Sequence, residues 1–278
     1  MNAASSSVPP TPAPGSRRWP ARALLARGGL AAFTLLLLYP FIGFFLPAGA
    51  WQWNGLVPHS TAAAVEVSLG LTGLAMLLVA AAGTPVAAYL ARCRRRERLL
   101  WEAPILIAAL LPPLALGILF SLAFGPNARL GHWLLRWGLP LSNSAPAFVL
   151  TQFYVSIGYY VIAARAALAA VPRELEITAA LLGQSPARVF RRVTFPLARL
   201  GLAAALSLAW VRALGELGAV LVTAYYPAGM PVQIWINLQD AGMSAVLPLL
   251  VIFLLTALPL PWLLQLLAER RHEDSAPA

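Results

Sequence analysis

Six long apolar runs dominate the sequence and constrain what it can fold into. They cover about residues 28–46, 62–90, 103–124, 145–168, 200–224 and 244–267. An α-helix needs about 20 mainly apolar residues to cross the hydrocarbon core of a bilayer. Only 11% of the residues are charged, whereas a soluble domain carries about 25%. The sequence therefore predicts an all-α polytopic membrane protein with about six transmembrane helices.

The arginines predict how these helices are oriented. All 20 basic residues are arginine, and seventeen of them lie in segments on one side of the predicted spans. Those segments are the N-terminal tail, residues 92–98, residues 165–199 and the C-terminal tail. Cytoplasmic loops retain an excess of basic residues, so we expect both termini to be cytoplasmic. The net charge of +10 is therefore typical of a protein whose basic loops lie beside a lipid membrane, and its clustering argues against a nucleic-acid partner.

The remaining composition divides the chain into four parts. Residues 1–22 are rich in Ser, Pro and Ala and predict a disordered cytoplasmic tail. Residues 23–60 predict the first transmembrane helix and an outer loop, residues 61–268 a membrane domain, and residues 269–278 a second cytoplasmic tail. Residues 48–50 resemble a signal-peptide cleavage site. The apolar run before them is longer than a signal core, so we expect that helix to be retained.

The predicted cytoplasmic segment of residues 169–199 is too long for a simple connection, since helix–helix loops usually take about 2–8 residues. Pro172 suits the first turn of a helix, and Glu174 and Glu176 complement the positive end of its dipole. Gly183 is typical of a helix C-terminus. We therefore expect a first short helix that ends at Gly183.

A second short helix is expected immediately after it. Ser185 is a candidate cap, Pro186 suits the first helical position, and the helix is expected to stop before Pro196. One edge of this helix is apolar (Val189, Phe190 and Val193) and another is basic (Arg188, Arg191 and Arg192). Such an amphipathic element suits docking against a partner protein. Its arginines equally suit anchoring to anionic lipid, and both interpretations stay open.

The order of these residues resembles a known pattern. Residues 174–183, then Ser185-Pro186, Phe190 and residues 193–196, resemble the EAA loop of ABC-importer permeases. Gly183 and Pro196 stand at the spacing of that pattern, and Ala179 fits one of its alanines. Ile177 occupies the position of its glutamate, for which Glu176 is a candidate substitute. Residues 83–92, 111–117 and 212–227 are similar to stretches of the molybdate, tungstate and sulfate permeases.

This resemblance implies a type I ABC-importer permease bundle over residues 61–268, with the coupling loop at residues 172–199. It implies a homodimer that docks on a cytoplasmic ABC ATPase and receives a small oxyanion from an extracytoplasmic solute-binding protein. Molybdate or tungstate is favoured, with sulfate as an alternative, and the bacterial cytoplasmic (inner) membrane is the expected location. The ATPase-coupling residues that it implies are Glu174, Glu176, Ala179, Gly183, Ser185, Pro186, Arg188, Phe190, Val193 and Pro196.

The sequence argues against enzymatic activity. It contains no lysine and no G-x-x-x-x-G-K-[ST] phosphate loop, so ATP–Mg is expected on a partner subunit. No histidine or aspartate lies in a predicted span, and we assign no catalytic residue, metal or cofactor to this chain. An ion-gradient-driven secondary transporter is the alternative class, because several spans and a buried charge suit it too.

Arg212 and Glu216 are two charges inside a predicted span. They lie four residues apart near the middle of the fifth run, and hence on one helical face. Each alone would cost at least about 2.5 kcal/mol at the bilayer centre, so we expect them to be paired or to face water. They form either a self-neutralising structural pair or a site on the translocation path for the anion.

Overall fold

The computed structural model describes residues 21–45 and 59–257, and the side chains of residues 27–43 and 60–257. The chain separates into two compact units, Met1–Ala50 and Trp51–Ala278. The first unit contributes one described helix, α1 (Ala21–Phe45). All other described helices belong to the second unit. The two predicted tails and residues 48–50 lie outside the described residues.

Every regular element in the described residues is helical. The second unit contains α2 (His59–Arg92), α3 (Arg95–Leu110), α4 (Pro113–Phe124), α5 (Arg129–Arg136), α6 (Ala145–Ala169), α7 (Arg173–Leu181), α8 (Pro186–Val189), a π-helical segment (Phe190–Thr194), α9 (Phe195–Leu214), α10 (Gly218–Thr223), α11 (Met230–Ala241) and α12 (Met243–Ala257). The all-α prediction is confirmed for this part of the chain.

The core of the second unit is formed where α6 packs between α2 and α9. Its most deeply buried side chains are small, including Ala75, Ala87, Ala164 and Ala209. A Cβ atom added to Gly201 of α9 would lie 2.5 Å from the Cβ of Ala167 in α6. Small residues let helix backbones approach closely, which is how helices associate when lipid is as apolar as their side chains.

Three described helices are long and apolar enough to cross a membrane: Ser60–Arg92, Ala145–Ala169 and Pro186–Leu214. The first two match the predicted second and fourth spans, and the third contains only residues 200–214 of the predicted fifth span. A fourth candidate is the bent pair α3 and α4, and Arg27–Gly43 and Met243–Ala257 are shorter apolar helices. The total of six spans and the position of both termini stay predictions.

The third apolar run does not form one straight helix, which corrects the prediction. Helices α3 and α4 meet at a bend of 107°. Leu111 and Pro112 each precede a proline, and both adopt extended backbone angles, with ψ of 135° and 132°. A residue before proline is disfavoured in the α conformation, so two in succession end the helix.

The fifth apolar run is also broken, because α9 ends at Leu214 and α10 begins at Gly218. Helix α10 packs against α4, the segment that follows the other break. A Cβ atom on Gly117 of α4 would lie 2.9 Å from the Cα of Ala219. The segments that follow the two breaks thus meet side by side.

The last apolar run begins as predicted, since α12 starts at Met243. The connection before it contains the helix α11. Residues of that run beyond 257 lie outside the described residues.

Candidate functional site

We call residues 172–199 the coupling segment, after the loop that they resemble. Its first helix is α7, with Glu174 and Glu176 in the first turn, as predicted. The helix ends at Leu181, and Gly183 has a φ of +79°, a conformation that L-residues rarely adopt. Its N–H donates to the carbonyl oxygen of Ala180 at 2.9 Å. The predicted role of Gly183 as a helix-ending residue is confirmed.

The second helix begins as predicted but does not stop before Pro196. Ser185 precedes the first turn and Pro186 is its first residue. The helix then continues through the five-residue π-helical segment into α9, and Pro186–Leu214 forms one apolar helix of 29 residues. Proline has no N–H and collides with the carbonyl four residues earlier in an α-helix. The wider turn just before Pro196 accommodates that ring, so the coupling segment is directly continuous with a candidate span.

Arg92, the last residue of α2, joins three parts of this region. Its Nη2 donates to Glu176 Oε1 at 2.9 Å, and to the carbonyl oxygens of Leu168 and Val171, each at 3.1 Å. Leu168 is in the last turn of α6, where a cation complements free carbonyls and the helix dipole. One guanidinium thus holds the ends of α2 and α6 against α7.

Glu176 is bound from a second side by the π-helical segment. The hydroxyl of Thr194 donates to the same Oε1 atom at 2.7 Å. Thr194 is buried, and the side chains of Arg92 and Glu176 are both mostly shielded. We call Arg92, Glu176 and Thr194 the anchor cluster. It lines a pocket of about 390 Å³ between α2 and the coupling segment.

The side of α7 that faces away from the bundle is exposed and carries large apolar residues. Ile177 is 50% exposed, and Leu181 and Leu182 are 83% and 76% exposed. Glu176 and Ile177 therefore point in different directions: the glutamate faces the bundle, and the isoleucine faces outward. An exposed cluster of large apolar side chains marks an interaction surface. Ile177 and Leu181 lie four residues apart on one side of α7, and we call them, with Leu182 directly after the helix, the outer face of α7.

The other predicted coupling residues lie around these two surfaces. Ala179, Phe190 and Val193 are half-buried, and the rings of Phe190 and Phe195 are 6.2 Å apart. Glu174, Ser185, Pro186 and Pro196 are exposed. Arg188, Arg191 and Arg192 are exposed as well, and Arg188 donates to the side chain of Gln184 at 3.4 Å. The predicted basic edge is therefore accessible.

Arg212 and Glu216 form an ion pair with each other. The sequence predicted Glu216 within a helix. The structure instead places it in the break between α9 and α10. Its second oxygen accepts a hydrogen bond from the N–H of Ala219 at 2.7 Å, in the first turn of α10. The Glu216 side chain is 0% exposed and that of Arg212 is 22% exposed, with the guanidinium 5.7 Å from the centre of the Tyr159 ring. The pair therefore connects two helices.

Sequence reasoning did not assign Arg92 or Thr194 to the site. Arg92 was one of five arginines in a cluster, and only its position directly after an apolar run distinguished it. A third ion pair, with 2.7 Å between Arg165 Nε and Glu102 Oε1, was also missed. It joins α6 to α3, two helices that are far apart in sequence. No short-range pattern links such residues.

These features define a class of protein: a membrane-embedded, all-helical permease with a structured segment at one end of its bundle. The fold agrees with a solved bacterial ABC transporter involved in the import of the acidic polysaccharide alginate. The TM-score is 0.70 at 17% identity, covering 91% of this chain and 96% of the other.

The family follows from a sequence profile described as "Binding-protein-dependent transport system inner membrane component", which matches residues 83–273. The chain belongs to this family. It is 37% identical over 223 residues to a probable molybdenum ABC transporter permease of Haloferax volcanii, covering 77% of this chain and 80% of that protein. It is 26% identical over 246 residues to the molybdate/tungstate transport system permease WtpB of Methanocaldococcus jannaschii, covering 86% and 97%.

Proposed function

We propose that this chain forms the translocation path of an ATP-driven importer in a cytoplasmic (inner) membrane. It couples there to a separate ATPase through the coupling segment. The observation that carries the proposal is the two-sided arrangement of α7. Its inner side is bonded to the ends of α2 and α6 through Arg92, and its outer face is apolar and exposed. A force applied to that face reaches helices of the bundle directly.

Family membership favours this function over the secondary transporter. The sequence contains no lysine and no phosphate-loop motif, so hydrolysis would come from a partner that binds ATP–Mg. A solute-binding protein on the outer side and a second copy of this chain complete the proposed assembly. No cofactor is proposed for the chain itself.

We propose molybdate or tungstate as the substrate, with sulfate as the alternative. The support is the similarity to a probable molybdenum permease of Haloferax volcanii and a molybdate/tungstate permease of Methanocaldococcus jannaschii. These anions are tetrahedral and doubly charged, so their release is favoured by a path without unpaired cationic residues that bind them tightly. Arg212 is compatible with that requirement because Glu216 already neutralises it.

The docking role is tested on the outer face of α7. Leu181→Asn with Leu182→Asn removes the most exposed apolar pair of that face, and Arg191→Gln with Arg192→Gln removes two charges from the basic edge. We expect the leucine variant to lose co-purification with the ATPase and the arginine variant to keep it. If the leucine variant still co-purifies normally, α7 is not the docking surface. Loss of co-purification in the arginine variant alone would instead assign docking to the basic edge.

The substrate is tested by competition. In proteoliposomes with the ATPase and the binding protein, unlabelled tungstate and molybdate are expected to suppress uptake of labelled molybdate at similar concentrations. Sulfate is expected to require a much higher concentration. Equal competition by sulfate would replace the narrower proposal with a general oxyanion importer.

A further inference from the structure

The hairpin between α2 and α3 carries a concentration of exposed positive charge, in which Glu97 is the one acidic residue between Arg94 and Arg98. Helix α2 ends at Arg92 and α3 begins at Arg95. Arg94, Arg95 and Arg96 are all exposed. Among the residues that the structure describes, no carboxylate forms an ion pair with any of these three side chains. The adjacent Arg92 differs, because Glu176 and two carbonyls occupy it.

The surface changes from charged to apolar within two helical turns of these arginines. On α3, Leu100 is 74% and Trp101 is 60% exposed, and on α2, Tyr89 is 56% exposed. Arginine and aromatic side chains together mark the interface between headgroups and hydrocarbon. This pattern indicates that both arms of the hairpin cross that interface, with the three arginines on the headgroup side and the aromatic rings at its inner boundary.

An apolar groove of about 520 Å³ opens between the two arms at this level. Its lining includes Pro85, Val86, Tyr89, Trp101, Pro104 and Ile105. Six residues separate Arg95 from Trp101, about 9 Å along a helix at about 1.5 Å per residue. That distance is close to the thickness of one headgroup region, about 5–8 Å. A cluster of cations and an apolar groove are thus spaced like the two ends of one amphipathic anion.

We propose that this hairpin is a binding site for an anionic phospholipid. The phosphate lies among Arg94, Arg95 and Arg96, and an acyl chain occupies the groove between α2 and α3. The charge selects an anion, and the position of the groove at the bilayer boundary selects a lipid over a soluble phosphate. This site is separate from the outer face of α7 and does not depend on the identity of the transported anion.

The test compares two triple variants of the purified full-length chain by native mass spectrometry with added phosphatidylglycerol or phosphatidylcholine. The first is Arg94→Gln, Arg95→Gln and Arg96→Gln. The second, Arg188→Gln, Arg191→Gln and Arg192→Gln, removes the same charge from the coupling segment. We expect the hairpin variant to bind phosphatidylglycerol at least about tenfold more weakly, because it loses three cations that would attract the anionic headgroup. We expect the coupling-segment variant to resemble the unaltered chain.

Equal losses in both triple variants would show general charge attraction and would overturn the site. Unchanged binding in the hairpin variant would overturn it as well. A separate arm adds glycerol 3-phosphate, which carries the anion without the acyl chains. It is expected not to displace the lipid at matched concentration, and displacement would overturn the assignment of the groove.

Discussion

At the residue scale, the anchor cluster shows why neighbouring side chains of one helix have different roles. Glu176 accepts hydrogen bonds from Arg92 and Thr194, whereas Ile177 next to it faces outward. Hydrogen bonds to a charged group contribute about 1.5–3 kcal/mol each. The position where the EAA pattern has its glutamate is thus apolar and outward here, and the carboxylate one residue earlier holds α7 on the bundle.

Replacing Glu176 with Gln keeps the shape of the side chain but weakens both bonds of the anchor cluster. We expect ATP-driven uptake to fall by about tenfold or more, in line with roughly 1–2 kcal/mol of lost anchoring, while the ATPase still co-purifies. The matched control is Glu97→Gln in the first turn of α3, whose side chain is exposed and lies outside the coupling segment. Normal uptake by the Glu176 variant would show that the anchor cluster does not transmit force.

Variants of Arg212 and Glu216 test separately whether the pair stabilises the fold and whether Arg212 takes part in transport. Arg212→Gln leaves the fully buried Glu216 unpaired, and breaking a buried ion pair costs about 3–5 kcal/mol. We expect the single variant to melt at a lower temperature and the double variant, with Glu216→Gln as well, to recover most of the loss. Melting in detergent measures this.

Uptake by that double variant then decides the role of the arginine. A folded double variant that transports normally removes Arg212 from the anion path. A folded double variant that does not transport places the arginine there.

At the scale of elements, the apolar runs predicted the uninterrupted helices but not the breaks. Helices α2 and α6 appear where their runs predict them. Hydropathy sums the hydrophobicity of side chains and contains no information on backbone angles. It therefore does not predict the extended backbone at Leu111 and Pro112 or the turn at Gly215. Pro196 was expected to end a helix, and the π-helical segment instead carries the helix past it. The side of α7 on which Glu176 lies depends on α2 and α6, which no local pattern contains.

Gly183, in the turn after α7, has a matched counterpart in Gly138, which follows α5. Gly183 and Gly138 have φ of +79° and +74°, with open space around both Cβ positions. A side chain in this conformation costs about 1–2 kcal/mol, so Gly183→Val and Gly138→Val are expected to lower thermal stability similarly. Only Gly183→Val is expected to reduce uptake, because it redirects the coupling segment. Equal uptake defects would mean that the turn after Gly183 has no special role.

The contact between α6 and α9 gives a prediction about packing. Gly201→Leu places a large side chain where even a Cβ lies 2.5 Å from Ala167. Overpacking costs about 1–3 kcal/mol, and we expect a lower melting temperature in detergent. The control is Gly70→Leu on the exposed side of α2, where no atom lies within 4 Å of the added Cβ. A Gly201 variant as stable as this control would contradict the close helix contact.

At the scale of the whole molecule, the coupling segment is one part of a continuous mechanical connection. Its first helix is bonded to α2 and α6 through Arg92. Its second helix runs without a stop into α9. The three helices that meet in the core are therefore the three that the coupling segment contacts or enters. We expect a displacement of α7 to move them together.

The most direct test of this account is uptake of labelled molybdate into proteoliposomes that contain the chain with its ATPase and binding protein. We predict uptake that requires Mg-ATP on the side of the coupling segment and persists when ion gradients are collapsed. Uptake by the purified chain alone, driven by an ion gradient without the ATPase, would contradict it.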